Sequence, residues 1–287
     1  MPLVNDSMAF DFAQIPVPFR MQPGLARLPE GAAHLTPLDT NHPLFAQKRS
    51  VLVAGHSRHT VTGFDPAPAL AAIQQQARTQ GIAGALEAGT PLELAFEEDF
   101  AVLEGDTGTL PWLCVCAPSH WAPEDKLGLP LAAVHAPVAD NALLQSASRH
   151  LQALATEGGS WERWVWSLSP SSRHDQHPRR HPATPWPNTP DPAALAAACW
   201  LRTERQTFLP VGGGTRQAVF TIRVQLAPLV QAIDTPAKAL RLHDSLASMS
   251  EAVLAYKGLA PARPRLLQWL AMVATAAAAA ADARPSQ

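Results

Sequence analysis

The chain has 287 residues, of which 47% are hydrophobic and 16% charged, and this balance excludes wholesale disorder and predicts a globular protein with a sizeable core. Its formal net charge of −2 and pI of 6.6 give no electrostatic footprint for nucleic acid or for an anionic membrane surface. The three cysteines are too few for a usual iron–sulfur cluster, and because the N-terminus lacks a secretory signal, a reducing, cytoplasmic location is expected.

Proline and turn-forming residues dominate residues 1–40, and we expect this segment to wrap the surface of a single domain formed by residues 41–287. Residues 49–55 are predicted as a short strand. A helix is predicted to start near Asp65, because this residue is a good N-cap and Pro66 suits the first helical turn.

Two strands are predicted at residues 98–103 and 110–117, joined by the turn-forming sequence EGDTGT. The second strand is almost wholly apolar and is expected to be buried on both faces. An amphipathic helix follows at residues 142–156, and WERWVWSL at residues 161–168 is predicted as a third strand.

The segment 169–192 contains seven prolines together with His174, His177 and His181. Such proline density is incompatible with regular secondary structure, so the segment is predicted to be an exposed loop or lid. The histidine spacing is compatible with a metal site, but a solvated, mobile loop is the interpretation that the surrounding prolines and arginines favour.

The C-terminal part returns to regular structure at residues 195–204 and 217–225, joined by a glycine-rich turn at residues 210–215. The glycines lack the GxxxxGK[ST] spacing of a phosphate-binding loop and lie between strands, so a hairpin turn is predicted. Three helices are predicted to follow, at residues 228–233, 236–257 and 264–281. Strands joined by tight turns with helices between them indicate an α+β fold with an antiparallel sheet, flanking helices and a helical C-terminal end.

The most informative stretch is CAPSHWAPEDKLGLPLAAVHAPVADN, residues 116–141. Its apolar run ends in a lone histidine, His135, and Pro137 restricts the backbone just after it. A neutral imidazole in an apolar setting suits an axial haem ligand. The alternative is a core histidine satisfied by a backbone hydrogen bond, which the spacing alone favours.

A second polar pattern lies in LRTERQ, residues 201–206, where strand alternation puts Arg202, Glu204 and Gln206 on one side and Arg205 on the other. This row is either a surface ladder or the wall of a polar pocket. In a pocket, a guanidinium would pair a carboxylate and the glutamate would hold an ammonium. No GxSxG elbow surrounds any serine, so a hydrolase is set aside.

Four separated motifs carry a family resemblance. PSHWAPEDKLGLPLAAVHAPV is similar to the pattern P-S-x-W-x-P-x-x-K-x-G-x-x-L-x-x-I-H-x-P-V, and RTERQTF with AVFTIRVQL is similar to R-x-E-R-Q-T and V-F-T-I-R segments. EEDFAVL at residues 97–103 and YKGL at residues 256–259 complete the set. In these motifs the chain resembles the haem-dependent oxidative N-demethylase alpha-subunit-like family. It departs from the family at Val165, where asparagine is usual, and in the LPVGGGTRQ turn.

The resemblance implies a PAS-like fold that binds haem b and, with dioxygen, oxidatively demethylates a small secondary amine such as dimethylamine, releasing formaldehyde. Partner subunits of that family carry the flavin, iron–sulfur and folate functions, which agrees with the lack of those motifs here. Neither nucleic acid nor a membrane is expected as a partner. Two alternatives are a PAS-like haem sensor or carrier without turnover, and a scaffold subunit that has lost its cofactor.

Within this resemblance the residue roles are our own predictions. His135 is predicted as the proximal haem ligand, and therefore as the metal ligand, with His120 as the next candidate. Arg202 or Arg205 is predicted to pair the haem propionates, and Glu204 is predicted to hold the cationic amine at the catalytic site. The remaining cofactor-binding candidates are Trp121 and Lys126, and Trp166 is a further candidate for a pocket wall.

Overall fold

A computed structural model gives the fold and describes residues 10–87 and 89–282, with side chains described up to residue 275. The strands in this part of the chain are β1 (Ala26–Arg27), β2 (Arg58–Thr60), β3 (Asp99–Glu104), β4 (Trp112–Cys114), β5 (Trp161–Ser169), β6 (Trp200–Pro210) and β7 (Gln217–Pro228). They form one antiparallel sheet in the order β1-β5-β6-β7-β3-β4-β2, which confirms the predicted α+β class. The PAS-like arrangement stays a prediction.

The helices flank this sheet. Those in the described residues are α1 (Pro43–Val53), α2 (Ala67–Thr79), α3 (Leu92–Ala95), α4 (Leu131–Val134), α5 (Ala142–Thr156), α6 (Pro192–Ala197), α7 (Leu229–Ala232), α8 (Pro236–Ala247), α9 (Glu251–Tyr256) and α10 (Arg263–Asp282). Helices α7 to α10 follow the last strand, so the predicted helical C-terminal end is confirmed. None of the described helices is both long enough and apolar enough to cross a membrane.

The three longest strands, β5, β6 and β7, are rich in β-branched and aromatic residues, which favour a pleated, half-buried surface. Every residue of β5 is paired with a residue of β6, and every residue of β6 is paired with a residue of β7. The glycine-rich segment at residues 211–216 is the hairpin turn between β6 and β7, as predicted. The candidate site described below lies on β5 and β6, which this pairing holds in a fixed register.

Alternation of side chains gives the sheet two different faces. On the face that we call the α5 face, Ala155 of α5 packs with Leu113 and Phe208. On the opposite face, which we call the α2 face, Ile73 of α2 packs with Phe100. Residues on the two faces cannot share one pocket unless the pocket reaches around a strand edge.

The N-terminal segment contributes to the core in its described part. Phe12 is 7% exposed and Ile15 is fully buried, and both belong to the same apolar cluster as Leu242 of α8 and Leu266 of α10. The segment therefore does more than cover the surface. Its separation from a single domain at residues 41–287 stays a prediction.

The strand predicted at residues 49–55 is wrong, because these residues lie mostly in α1. Pro43 occupies the first turn of this helix, and the Nδ1 atom of His42 accepts a hydrogen bond from the N–H of Leu44. The buried face of the helix carries Lys48, whose ammonium lies 3.0 Å from a carboxylate oxygen of Asp99. Because a charged residue, Lys48, lies on the buried face of α1, the apolar residues there do not show the usual helical spacing.

The loop at residues 169–192 is only partly exposed, so the prediction of an exposed loop is wrong for its first half, where residues 174–177 are buried. His174, Asp175, Gln176 and His177 are at most 5% exposed. The carboxylate of Asp175 accepts hydrogen bonds from Arg180, which explains how a charged residue is buried there.

The long helix predicted at residues 236–257 is divided into α8 and α9. The hydroxyl of Ser248 donates a hydrogen bond to the carbonyl of Asp244. Ser250 caps α9 by accepting a hydrogen bond from the N–H of Val253. Serine side chains compete with the helical backbone in this way, which ends one helix and starts the next.

Candidate functional site

The candidate site lies on the α5 face, where β5 and β6 run side by side. Arg163 of β5 is paired with Gln206 of β6, and Val165 is paired with Glu204. Their side chains therefore project from the same face of the sheet. The predicted separation of Glu204 and Gln206 from Arg205 by strand alternation agrees with this register.

A hydrogen-bond chain holds the carboxylate of Glu204. The hydroxyl of Ser119 donates to Oε1 of Glu204, and Nε2 of Gln206 donates to Oε2 at 2.8 Å. Nε of Arg202 donates in turn to the Ser119 hydroxyl at 2.7 Å. Both carboxylate oxygens thus have a donor, and the carboxylate orientation is fixed.

Arg202 is an internal anchor. It is 1% exposed, and its remaining hydrogen bonds go to the backbone carbonyls of Ala117, Arg173 and His174. Burial lowers the pKa of Arg202 to about 10, and the nearby charges of Glu204 and other carboxylates oppose that shift. With four hydrogen bonds already made, the guanidinium has little capacity for a propionate.

Arg205 lies on the α2 face. Its Nε donates to Glu162 at 3.0 Å, and its Nη1 donates to the carbonyl of Ala33 at 2.6 Å. The sheet separates it from Glu204. The prediction that Arg202 or Arg205 pairs the haem propionates is untested by any bound group, but the contacts of neither arginine favour it.

His135 ends helix α4, where its backbone N–H donates to the carbonyl of Leu131 at 3.2 Å. Its Nδ1 atom is buried and has no hydrogen-bond partner among the described residues. Burial, and then the positive charges of Arg163 and Lys126, lower the pKa of His135 to about 4. The imidazole is therefore neutral at pH 7, as iron ligation requires.

Arg163 is a site residue that the sequence reasoning missed. Its Nε atom is buried without a hydrogen-bond partner within the described chain. Burial lowers its pKa, and the charge of Glu204 opposes this shift. Arg163 acts electrostatically on both His135 and Glu204, so it places these two predicted residues in one region. Strand alternation in WERWVW could have found it.

The other predicted residues are spread over both faces. Trp121 is half-buried against the apolar cluster of the α5 face. Lys126 lies close enough to His135 to affect its pKa. His120 is exposed with a φ of 60°, a conformation that costs energy for a non-glycine residue. Trp166 is paired with Thr203 and is 5% exposed, and its side chain lies on the opposite face of the sheet from Glu204.

The loop at residues 169–192 is held to the segment that follows Trp121 by contacts with Glu124 and Asp125. Nε2 of His177 lies 3.1 Å from Glu124, and the guanidinium of Arg179 contacts both Glu124 and Asp125. Among the described residues, which include the three loop histidines, no group of three or more His, Cys, Asp or Glu side chains is arranged to hold a metal ion.

The residues of the α5 face fit a haem group. His135 would hold the haem iron, because it offers a neutral imidazole whose buried Nδ1 atom has no hydrogen-bond partner in the part of the chain that the structure describes. Two cations, Arg163 and Lys257, share the charge of one carboxylate, Glu204, whereas Arg202 is also offset by Asp175 and Asp99. Two propionates would offset this excess of positive charge.

Comparison with protein families agrees with this chemistry. The family model described as haem-dependent oxidative N-demethylase, alpha subunit-like, matches residues 74–267, which is more than half of the chain. The matched range includes β3 to β7 and every residue of the site discussed above.

Proposed function

Because the chain belongs to the haem-dependent oxidative N-demethylase alpha-subunit-like family, we propose that it is the haem-binding subunit of an oxidoreductase that demethylates a small secondary amine such as dimethylamine. The observation that carries this proposal is the buried, unsatisfied Nδ1 atom of a neutral His135. The family match favours an enzyme over a haem sensor or carrier.

His135 would hold the iron of haem b, within the PAS-like fold that the sequence predicts. The backbone of His135 is held at the end of α4, where the side-chain amide of Asn141 donates to the His135 carbonyl at 3.0 Å. When bound, haem b supplies the activation of dioxygen that oxidises an N-methyl group. The protein supplies an axial nitrogen, an apolar wall and placed charges.

Glu204 is the proposed site for the ammonium form of the amine. Ser119 and Gln206 fix its carboxylate by donating to both oxygens, so the charge has one orientation. An ammonium removed from water needs such a carboxylate or an aromatic face, and Trp121 provides an aromatic surface on the same side of the sheet. The positive charge of Arg163 would repel an amine until a bound anion offsets it.

Electrons must come from a partner, which we propose is a reductase with flavin and iron–sulfur centres. The alpha-subunit description of the family implies other subunits. Cys114, Cys116 and Cys199 are buried and unpaired, and burial raises the pKa of each thiol, so they are unsuited to ligate a cluster. We place the reaction in the cytoplasm, in keeping with these free thiols.

The test is an absorption spectrum of the purified protein after haem reconstitution. We expect a Soret band that changes when dimethylamine is added, and amine-dependent oxygen uptake when a reductase is supplied. The His135→Ala protein should lose most of its haem, and His120→Ala, as a matched control, should retain it.

Other outcomes contradict the proposal at different points. Full haem retention by His135→Ala with loss by His120→Ala would move the ligand to His120. A haem spectrum that no amine changes would exclude small amines as ligands of this site. No Soret band in the unaltered protein would contradict haem binding itself.

A further inference from the structure

A cavity of about 460 Å³ lies along the outer edge of β5, between that strand and residues 13–26. β1 pairs only with Trp161 and Glu162, so the edge beyond Glu162 has no strand neighbour in the described chain. The cavity is within the size range of small-molecule sites. Because it opens at a strand edge, residues from both faces of the sheet reach it, including Arg163 and Trp166.

Aromatic rings and an ammonium form one end of this cavity. The rings of Phe19 and Trp166 meet edge to face with their centroids 6.0 Å apart. The Nζ atom of Lys257 lies 5.6 Å from the centroid of each ring and donates to the carbonyl of Trp166 at 2.9 Å. This end therefore offers an apolar surface beside a positive charge.

The charges that line the cavity are unbalanced. Its acidic residue, Glu162, is already bound to Arg205 at 3.0 Å. In the part of the chain that the structure describes, neither Arg163 nor Lys257 forms an ion pair with a carboxylate, and the buried Nε of Arg163 has no hydrogen-bond partner. Glu204 acts on both cations, but its two oxygens are held by other donors.

Burying a cation that forms no ion pair is costly, and a bound anion would reduce that cost. A guanidinium and an ammonium are both strong donors to a carboxylate, and the guanidinium fork matches its geometry. The neighbouring rings would cover an apolar body attached to the carboxylate. Charge, hydrogen bonding and shape thus point to the same class of ligand.

We propose that the cavity at the edge of β5 binds the carboxylate of an organic ligand, with Arg163 and Lys257 as its cationic partners and Phe19 and Trp166 as its apolar wall. Two sources share this chemistry: the propionates of haem, and a free aromatic acid. The first source rests on the proposed function, whereas the second is independent of it.

The first experiment titrates the haem-free protein with benzoate, followed by tryptophan fluorescence and calorimetry. We expect benzoate to bind, and neutral benzamide to bind much more weakly. The Arg163→Gln and Lys257→Gln proteins should each lose affinity by roughly ten- to hundredfold. The matched control is Arg49→Gln, an exposed arginine outside the cavity, which should bind as the unaltered protein does. Circular dichroism checks that each variant is folded.

The second experiment identifies the source by using haem and haem dimethyl ester, which lacks free carboxylates. If propionates occupy the cavity, the unaltered protein should retain haem better than the ester, and both glutamine variants should remove this preference. Bound haem should then also prevent benzoate binding. If a free acid occupies the cavity, the haem-loaded protein should still bind benzoate with unchanged affinity.

Two results together would overturn the proposal: no benzoate binding to the haem-free protein, and equal retention of haem and its ester by the unaltered protein. Benzoate binding that neither glutamine variant weakens would also overturn it. The proposed function fails separately, through the absence of a Soret band in the unaltered protein, so the two failures are distinguishable.

Discussion

At the scale of single residues, two arginines three positions apart on one strand have different surroundings. Arg202 faces the α5 side and joins β6 to Ser119 and to the backbone of the loop at residues 169–192. Arg205 faces the α2 side and is held by Glu162. The difference follows from strand alternation, which points Arg202 towards Ser119 and the loop and points Arg205 towards Glu162.

Replacing Arg202 by methionine should destabilise the fold. The change removes the guanidinium that donates to the buried carbonyls of Ala117 and His174 and to the Ser119 hydroxyl, so we expect the free energy of unfolding to fall by about 3–5 kcal/mol. Urea denaturation of the haem-free protein measures this change. Arg216→Met is the control, because Arg216 makes only half-exposed ion pairs, and it should cost at most about 1 kcal/mol. Equal losses in both proteins would contradict an anchoring role.

At the scale of elements, the sequence predicted best where local periodicity decides the structure. The helix predicted at residues 142–156 coincides with α5, and the predicted hairpin turn joins β6 and β7. Strand alternation alone separated Glu204 from Arg205. In contrast, Arg163 joins the site through the register of β5 against β6, which is set by tertiary pairing.

The buried part of the loop at residues 169–192, residues 174–177, depends on distant contacts that local composition does not reveal. The N–H of Asp175 donates to the side chain of Gln47 at 3.0 Å, and His177 meets Glu124. Proline content correctly predicts the lack of helix and strand there. It does not predict burial, because burial follows from partners that are far away in the sequence.

Removing the loop's acidic partners should expose it to proteases. In a protein with Glu124→Gln and Asp125→Asn, Arg179 loses its ion pairs, so the loop should open more often. We expect trypsin cleavage after Arg179 and Arg180 to become roughly three- to tenfold faster. Mass spectrometry of timed digests measures the rates, and cleavage after exposed Arg78 is the internal control. Unchanged rates at the loop would show that these ion pairs do not hold it closed.

At the scale of the whole molecule, the two faces of the sheet bury different sets of polar side chains. On the α5 face, neither the buried Nε atom of Arg163 nor the buried Nδ1 atom of His135 has a hydrogen-bond partner among the described residues. On the α2 face, His34 is bonded to Thr207 and Ser160, both at 3.1 Å, whereas the buried hydroxyl of Thr203 has no hydrogen-bond partner among the described residues. A single buried group without a partner therefore does not mark a binding site, and the case for the α5 face rests on two such groups, Arg163 and His135, that act on each other.

His34 should make the stability of the whole protein depend on pH. Burial, and then the charge of Arg205, lower its pKa to about 4, against 6.5 in the unfolded chain. The unfolded state therefore binds more protons between these values, so this contribution is present above pH 6.5 and is lost as the pH falls towards 4. In His34→Gln, whose amide can replace the hydrogen bonds, the loss of unfolding free energy between pH 7 and pH 5 should be smaller by about 2 kcal/mol. Urea denaturation at both pH values measures it, with exposed His150→Gln as the control. If the His34→Gln protein keeps the full pH dependence, the buried imidazole is not the group that titrates.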